Sequence, residues 1–251
     1  PTPPRHPTGD VSVSLVALML SVSDSKLGSA LRPIEDALPL RIRYRGRWLT
    51  EQQLRPADGS KLIAVLDDQY ADGTGTADSS EALCQAIEAQ SLGCVRLLAG
   101  WGKASSDALE VLQTRVGKQL GAIISVQDFI VGGSSDRANA TRLIEKLDVP
   151  VLKALRLHDV TADAWRLSEQ GLAWDSVYYR IAMPELQGIS QPIVVAAAAR
   201  AQIDSLTGIE VTRLAPLPAQ IETLAKRAAR WAKLQSTANA RKRVAIVYYN
   251  H

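Results

Sequence analysis

Four short aliphatic runs, at 62–66, 94–98, 122–126 and 149–155, recur about every 30 residues along this chain. Between them lie stretches with apolar residues at helical spacing, such as Leu83, Cys84 and Ile87. A continuous aliphatic run has no polar face to turn to water, so it suits a strand buried on both sides. Alternation with helices at that spacing is the pattern of right-handed βαβ units and a parallel sheet. The predicted class is therefore α/β, in parallel, doubly wound layers of flavodoxin-, Rossmann- or periplasmic-binding-protein-like shape.

Composition supports this reading. Aromatic residues make up 5% of the chain and Phe occurs once, so Leu, Val, Ile and Ala must fill the core. Strands are also expected at 11–21, 40–48, 193–199 and 244–249, with a short linker or edge strand at 212–216. Helices are expected at 25–38 (interrupted by Pro33), 80–90, 105–120, 136–147, 161–170 and 219–234. Turn chemistry at Arg55-Pro56-Ala57-Asp58-Gly59-Ser60 marks the best boundary. The expected division is a preceding segment at 1–58, an α/β domain at 59–182, and a connector at 183–251 that ends on the first strand of another domain. The chain opens Pro1-Thr2-Pro3-Pro4 without Met and stops just after an apolar run, so it is expected to be an internal piece.

The formal charge is +3, with Lys226, Arg227, Arg230, Lys233, Arg241, Lys242 and Arg243 crowding the last stretch. No interleaved aromatics accompany them, which argues against nucleic acid and leaves a solvated face or an acidic contact. No run has the length of a membrane span. Cys84 and Cys94 lack CxxC spacing and histidine neighbours, so zinc is not indicated; both are expected as buried thiols in a reducing, cytoplasmic setting.

In open parallel sheets, ligands sit beyond the carboxyl ends of the strands. That rule selects four loops. They carry Asp67, Asp68, Tyr70 and Gly73-Thr74-Gly75; Trp101 and Lys103; Gln127-Asp128-Phe129 with Gly132-Gly133-Ser134-Ser135; and His158 with Asp159. The first lacks the third glycine of a dinucleotide fingerprint and the Gly-Lys-Ser/Thr ending of a P-loop. Asp67 and Asp68 are adjacent on a strand and point to opposite faces, which argues against a paired carboxylate. His158 has no histidine neighbour for metal binding, and no Gly-x-Ser-x-Gly elbow anchors a hydrolase triad.

Three stretches carry a resemblance. Met183-Pro184-Glu185-Leu186-Gln187-Gly188-Ile189-Ser190-Gln191-Pro192-Ile193-Val194-Val195, the helix segment Arg227-Ala228-Ala229-Arg230-Trp231-Ala232-Lys233-Leu234, and Asn239 to Asn250 resemble, in order and spacing, the large subunits of CobN-type cobaltochelatases and H-type magnesium chelatases. Leu147-Asp148-Val149-Pro150-Val151-Leu152 fits the upstream part of the same region. The resemblance covers roughly 60–251. Gln187 departs from an Asp usual in the family, and Gln191 from a common Glu. It implies insertion of Co2+ or Mg2+, as substrate, into a tetrapyrrole, with ATP hydrolysed on separate AAA+ subunits. It places a Glu-containing active-site segment downstream, so no catalytic residue and no resident metal are expected here, and the piece alone should be inactive. Tetrapyrrole contacts are expected from Tyr70, Gln127, Phe129, Glu185 and Gln191. Lys226, Arg230 and Lys233 are expected to meet macrocycle carboxylates or an acidic partner. The competing expectation is a non-catalytic ligand-binding or ATPase-docking module.

Overall fold

The structure, a computed structural model, describes residues 40–248 apart from 57–58, 60, 70, 72–76 and 204–209. The strand and helix expected at 11–21 and 25–38, together with Tyr70 and the 73–75 glycine loop, lie outside the described residues.

The aliphatic runs become the centre of an eight-stranded sheet. Its strands are β1 (Arg41–Tyr44), β2 (Arg47–Leu49), β3 (Leu62–Asp68), β4 (Gly93–Ala99), β5 (Leu120–Ser125), β6 (Val151–Thr161), β7 (Ile189–Ala198) and a short edge strand at Leu214–Pro216. A separate two-residue ladder pairs β8 (Gln202–Ile203) with β9 (Glu210–Val211), which makes the edge strand β10. Strands β4-β3-β5-β6-β7 run parallel in that spatial order. This is the flavodoxin-like arrangement, with its reversal of winding between β3 and β5. The edges are antiparallel: β1 pairs β4, and β10 pairs β7. Pro216 on β10 is tolerated because an edge strand needs no second ladder.

The expected single strand at 40–48 is a hairpin instead. Arg45 and Gly46 both adopt positive φ, 50° and 73°, and reverse the chain in two residues. Such a loop matches the twist of the flanking strands.

Helices cover both faces, as the strand alternation requires. Leu62, Ala64 and Leu66 of β3 face α2 (Lys103–Val111, continued by a π turn at Leu112–Val116) and α3 (Arg137–Leu147). Ile63 and Val65 face α1 (Ala77–Glu88) and the long C-terminal helix at Pro218–Ser236. That helix closes against β5 where Gly121 stands; a Cβ there would sit 2.6 Å from the Cβ of Ala232. Between β6 and β7 run α4 (Ala162–Leu167), α5 (Trp174–Val177), a π turn (Tyr178–Ala182) and α6 (Met183–Glu185), so the long helix is α7. Thr161 caps α4 by accepting from the Ala164 amide, as its residue type suggested.

Two further expectations are corrected. Cys84 and Cys94 are not separate thiols: α1 turns back directly into β4, which brings their Cα atoms to 5.3 Å, and they form a disulfide. The pairing removes the ground for expecting a reducing setting. Residues 242–248 form no strand here; Val244, Ile246 and Val247 are exposed on irregular backbone. Pro184 lies in α6, which continues directly from the π turn, and Gly188 (φ 88°) turns the chain into β7. Among the described residues, no helix is long and apolar enough to cross a membrane.

Candidate functional site

The reversal of winding between β3 and β5 opens a cleft at the carboxyl ends of the strands, as the topological rule predicts. Its cavity, about 410 Å³, is lined by Asp68 from β3, Trp101 after β4, Gln127 to Phe129 after β5, Arg156 and His158 from β6, and Arg213 and Leu214 at β10. A second cavity of about 470 Å³ adjoins it. Phe129 and His158 line both.

The floor is an ion pair. Asp67, fully buried, accepts from Arg156 Nη2, which also donates to the Val126 carbonyl at 3.1 Å. The two side chains lie on one face of the sheet, whereas Asp68 turns into the cleft. A charge taken out of water must be matched this closely, or folding suffers by several kcal/mol. Gln127 bridges the neighbouring strands by donating to the Ala99 carbonyl at 2.9 Å. Its Oε1 finds no hydrogen-bond partner among the described residues.

The loop after β5 is held carbonyl by carbonyl. Arg156 takes Val126 O, and Lys153 Nζ takes Gln127 O and, at 3.3 Å, Asp128 O. Trp101 Nε1 takes Ile130 O at 3.1 Å. Gln187 completes the set, accepting from the Val131 amide at 2.9 Å and donating to the Val131 carbonyl at 2.8 Å. Four side chains from distant parts of the chain thus fix a loop of six residues. Phe129 stands at its tip, 43% exposed. Backbone clamped so fully presents a side chain rather than hiding one.

Lys153 is 1% exposed, and burial pushes its ammonium down to about 7; Asp128 opposes that shift, while Arg156 and Arg180 add to it. Burial alone would raise the Asp128 carboxyl, but the neighbouring His158, Arg180 and Arg156 together outweigh it and hold the group below the ordinary carboxylate value. His158 Nε2 lies 3.5 Å from Asp128 Oδ2, and Arg180 Nη2 lies 3.8 Å away. The cleft therefore carries an ionised carboxylate beside the His158 ring, next to the touching, exposed rings of Trp101 and Phe129.

Of the residues singled out in the sequence, Gln127 and Phe129 meet in this cleft, with Trp101, Asp68 and His158. Glu185 is exposed at the end of α6 and lines neither cavity. Gln191 also lies outside both; it sits at positive φ (57°) in a bulge of β7 and accepts from Trp231 Nε1 at 3.4 Å. Lys226, Arg230 and Lys233 project outward from α7, opposite the face carrying Ile221, Leu224 and Ala228. Lys226 pairs with Glu222 at 2.6 Å. Among the described residues, no three His, Cys, Asp or Glu side chains are grouped as a metal site. Sequence reading missed Lys153, Arg156 and Gln187. The first two had a visible signal: two cations inside the otherwise apolar run Val151-Leu152-Lys153-Ala154-Leu155-Arg156-Leu157 demand buried partners.

Comparison with known proteins follows the same line. The family model for CobN/Magnesium Chelatase matches residues 40–251. The chloroplastic magnesium-chelatase protein ChlH of Oryza sativa subsp. indica is 31% identical over 212 residues, covering 82% of this chain and 15% of that protein. The H-type magnesium-chelatase protein of Cereibacter sphaeroides is 28% identical, covering 78% of this chain and 17% of its own length. The catalytic subunit of cobaltochelatase from Mycobacterium tuberculosis shares the fold, with a TM-score of 0.59 at 24% identity over 90% of this chain and 18% of that one. The chain thus spans under a fifth of the length of these relatives. A family match over the whole described region, on a sheet whose topology and cleft agree with the sequence signals, places this chain in the CobN/magnesium chelatase family.

Proposed function

We propose that this chain is the part of a chelatase large subunit that binds one face of the tetrapyrrole while Co2+ or Mg2+, the metal substrate, is inserted. The observation that carries the reading is the pinned loop that presents Phe129 against Trp101 as the aromatic wall of a cleft of mixed charge. A conjugated macrocycle offers wide apolar faces and a few polar substituents, and a cleft that sets an aromatic wall among charged groups meets both. Asp128, ionised and braced by His158 and Arg180, supplies a fixed acceptor for a macrocycle N–H. Arg213 supplies a cation for a carboxylate substituent.

Insertion also requires removal of two pyrrole protons and energy to deform a flat ring. We assign both to parts of the complete assembly outside this chain, with ATP hydrolysed on AAA+ partner subunits. The outward Lys226, Arg230 and Lys233 row on α7 is the face we assign to an acidic partner surface. Glu185 and Gln191, outside the cleft, would then serve the macrocycle only through surfaces contributed by the rest of the protein.

Titration of the chain with metal-free deuteroporphyrin tests the reading. Trp101→Ala should weaken binding by about 0.5–1.5 kcal/mol, the contribution of one aromatic contact. Unchanged affinity, or no binding by the unaltered chain, overturns it.

A further inference from the structure

The hairpin at one edge of the sheet takes no part in the cleft, and neither cavity draws a residue from β1 or β2. It carries four arginines in seven residues, Arg41, Arg43, Arg45 and Arg47, and a fifth, Arg96, stands opposite Arg43 on β4. The register puts Trp48 on the other side of Arg43. Three guanidinium groups gather over its indole, with Arg41 Cζ 4.1 Å from the ring centre, Arg96 at 5.8 Å and Arg43 at 5.9 Å. One carboxylate, Glu81 on α1, accepts from both Arg43 and Arg96. Arg45 and Arg47 are exposed at the turn, and among the described residues no carboxylate pairs with either.

Charge on an edge strand is an ordinary guard against unwanted pairing. Two features here go beyond that duty. A guard keeps large apolar side chains off the edge, whereas β2 holds out Trp48, 40% exposed. A guard also needs charge only on the outermost strand, whereas Arg96 lies buried on an inner strand directly opposite Arg43, where like charges repel. Arginine laid on an indole has its planar fork of donors already oriented, the form in which it takes a carboxylate through two hydrogen bonds. Beyond Trp48 lies the outer edge of β2, which pairs with no described strand, so its backbone can form a ladder with an added one.

We propose that the β1–β2 hairpin is a docking site for an acidic, extended protein segment that adds as a strand to β2 and sets its carboxylates among Arg43, Arg45 and Arg47 beside Trp48. The excess of positive charge fixes the sign of the partner. The open backbone edge favours a peptide over a nucleic acid, whose chain has no amides to pair with it. The site is separate from the cleft and from the basic row on α7, and it depends on neither reading.

Fluorescence anisotropy of a short dye-labelled peptide of alternating glutamate and valine, titrated with the 251-residue chain, tests this. Arg45→Asn/Arg47→Gln removes two charges from the exposed turn; Asn suits the positive φ at position 45, and circular dichroism checks that the fold persists. Saturable binding is expected, weakening several-fold as salt is raised. It should fall several-fold in the double variant and be lost when a proline stands at the centre of the peptide, because proline offers no N–H to a ladder. Equal binding of the proline peptide would reduce the site to unspecific charge attraction and overturn strand addition. Undiminished binding by the double variant, tighter binding of a single-stranded oligothymidylate than of the peptide, or no peptide binding by the unaltered chain each overturns the proposal.

Discussion

Lys153 offers a direct test of how the cleft loop is held. Its ammonium is buried beneath the Gln127 and Asp128 carbonyls, and burial lowers it from 10.5 to about 7. In the unfolded chain the group keeps its ordinary value. Between pH 7 and about 10 the unfolded state therefore binds a proton that the folded state has released, so stability rises with pH across that window. Each pH unit inside it is worth at most about 1.4 kcal/mol, so the step from pH 7 to pH 9 should add about 2 kcal/mol from this residue alone. Lys153→Met keeps the length of the side chain and removes the titration. It also leaves the Gln127 carbonyl without its donor, which costs about 1–3 kcal/mol at any pH. The variant's stability deficit should consequently be small at pH 7 and larger by about 2 kcal/mol at pH 9. Urea unfolding followed by circular dichroism measures both. Because Asp128, Arg156 and Arg180 act on the same ammonium, the comparison is the difference between chain and variant, not the absolute pH profile. A deficit equal at the two pH values would refute the claim that a buried, weakly basic amine holds this loop.

Three further outcomes are expected. Asp67→Asn leaves Arg156 buried without its counter-charge and should lower stability by about 3–5 kcal/mol, read from the shift in urea midpoint; a loss under about 1 kcal/mol would show that water reaches the pair. Gln187→Ala abandons the Val131 amide and carbonyl together and should cost about 2–3 kcal/mol, with hydrogen exchange accelerating at Val131; Gln187→Glu keeps an acceptor of the same length but gives no donor, so part of the loss should remain. Reducing the Cys84–Cys94 bond, or replacing Cys84 by Ser, releases a short closed loop and should cost about 2–3 kcal/mol, measured by unfolding with and without reductant; equal stability would mean that α1 and β4 hold each other without the bond.

Much of the architecture was legible because it is written at short range. A strand buried on both faces must be aliphatic throughout, and 62–66, 94–98, 122–126 and 149–155 could be little else once helical spacing filled the gaps. With parallel strands in place, the rule of carboxyl ends selected the loops that carry Trp101, Gln127, Phe129 and His158, and these line the cleft. Tertiary structure alone decided what depends on distant pairing. Which strands neighbour one another set the winding reversal between β3 and β5 and thereby the place of the cleft. Pairing also decided that 40–48 folds as a hairpin on β4. Gln187 clamps a loop 56 residues away, and Arg156 meets Asp67 across 89 residues; no local pattern records such a contact, because a side chain's partner is fixed by the packing of whole elements. The aromatic contacts have the same origin. Trp101 and Phe129 were visible in sequence as loop residues, but only the packing of the helical segment over β6 and β7 brings their rings into contact with Tyr179, Tyr178 and Trp174.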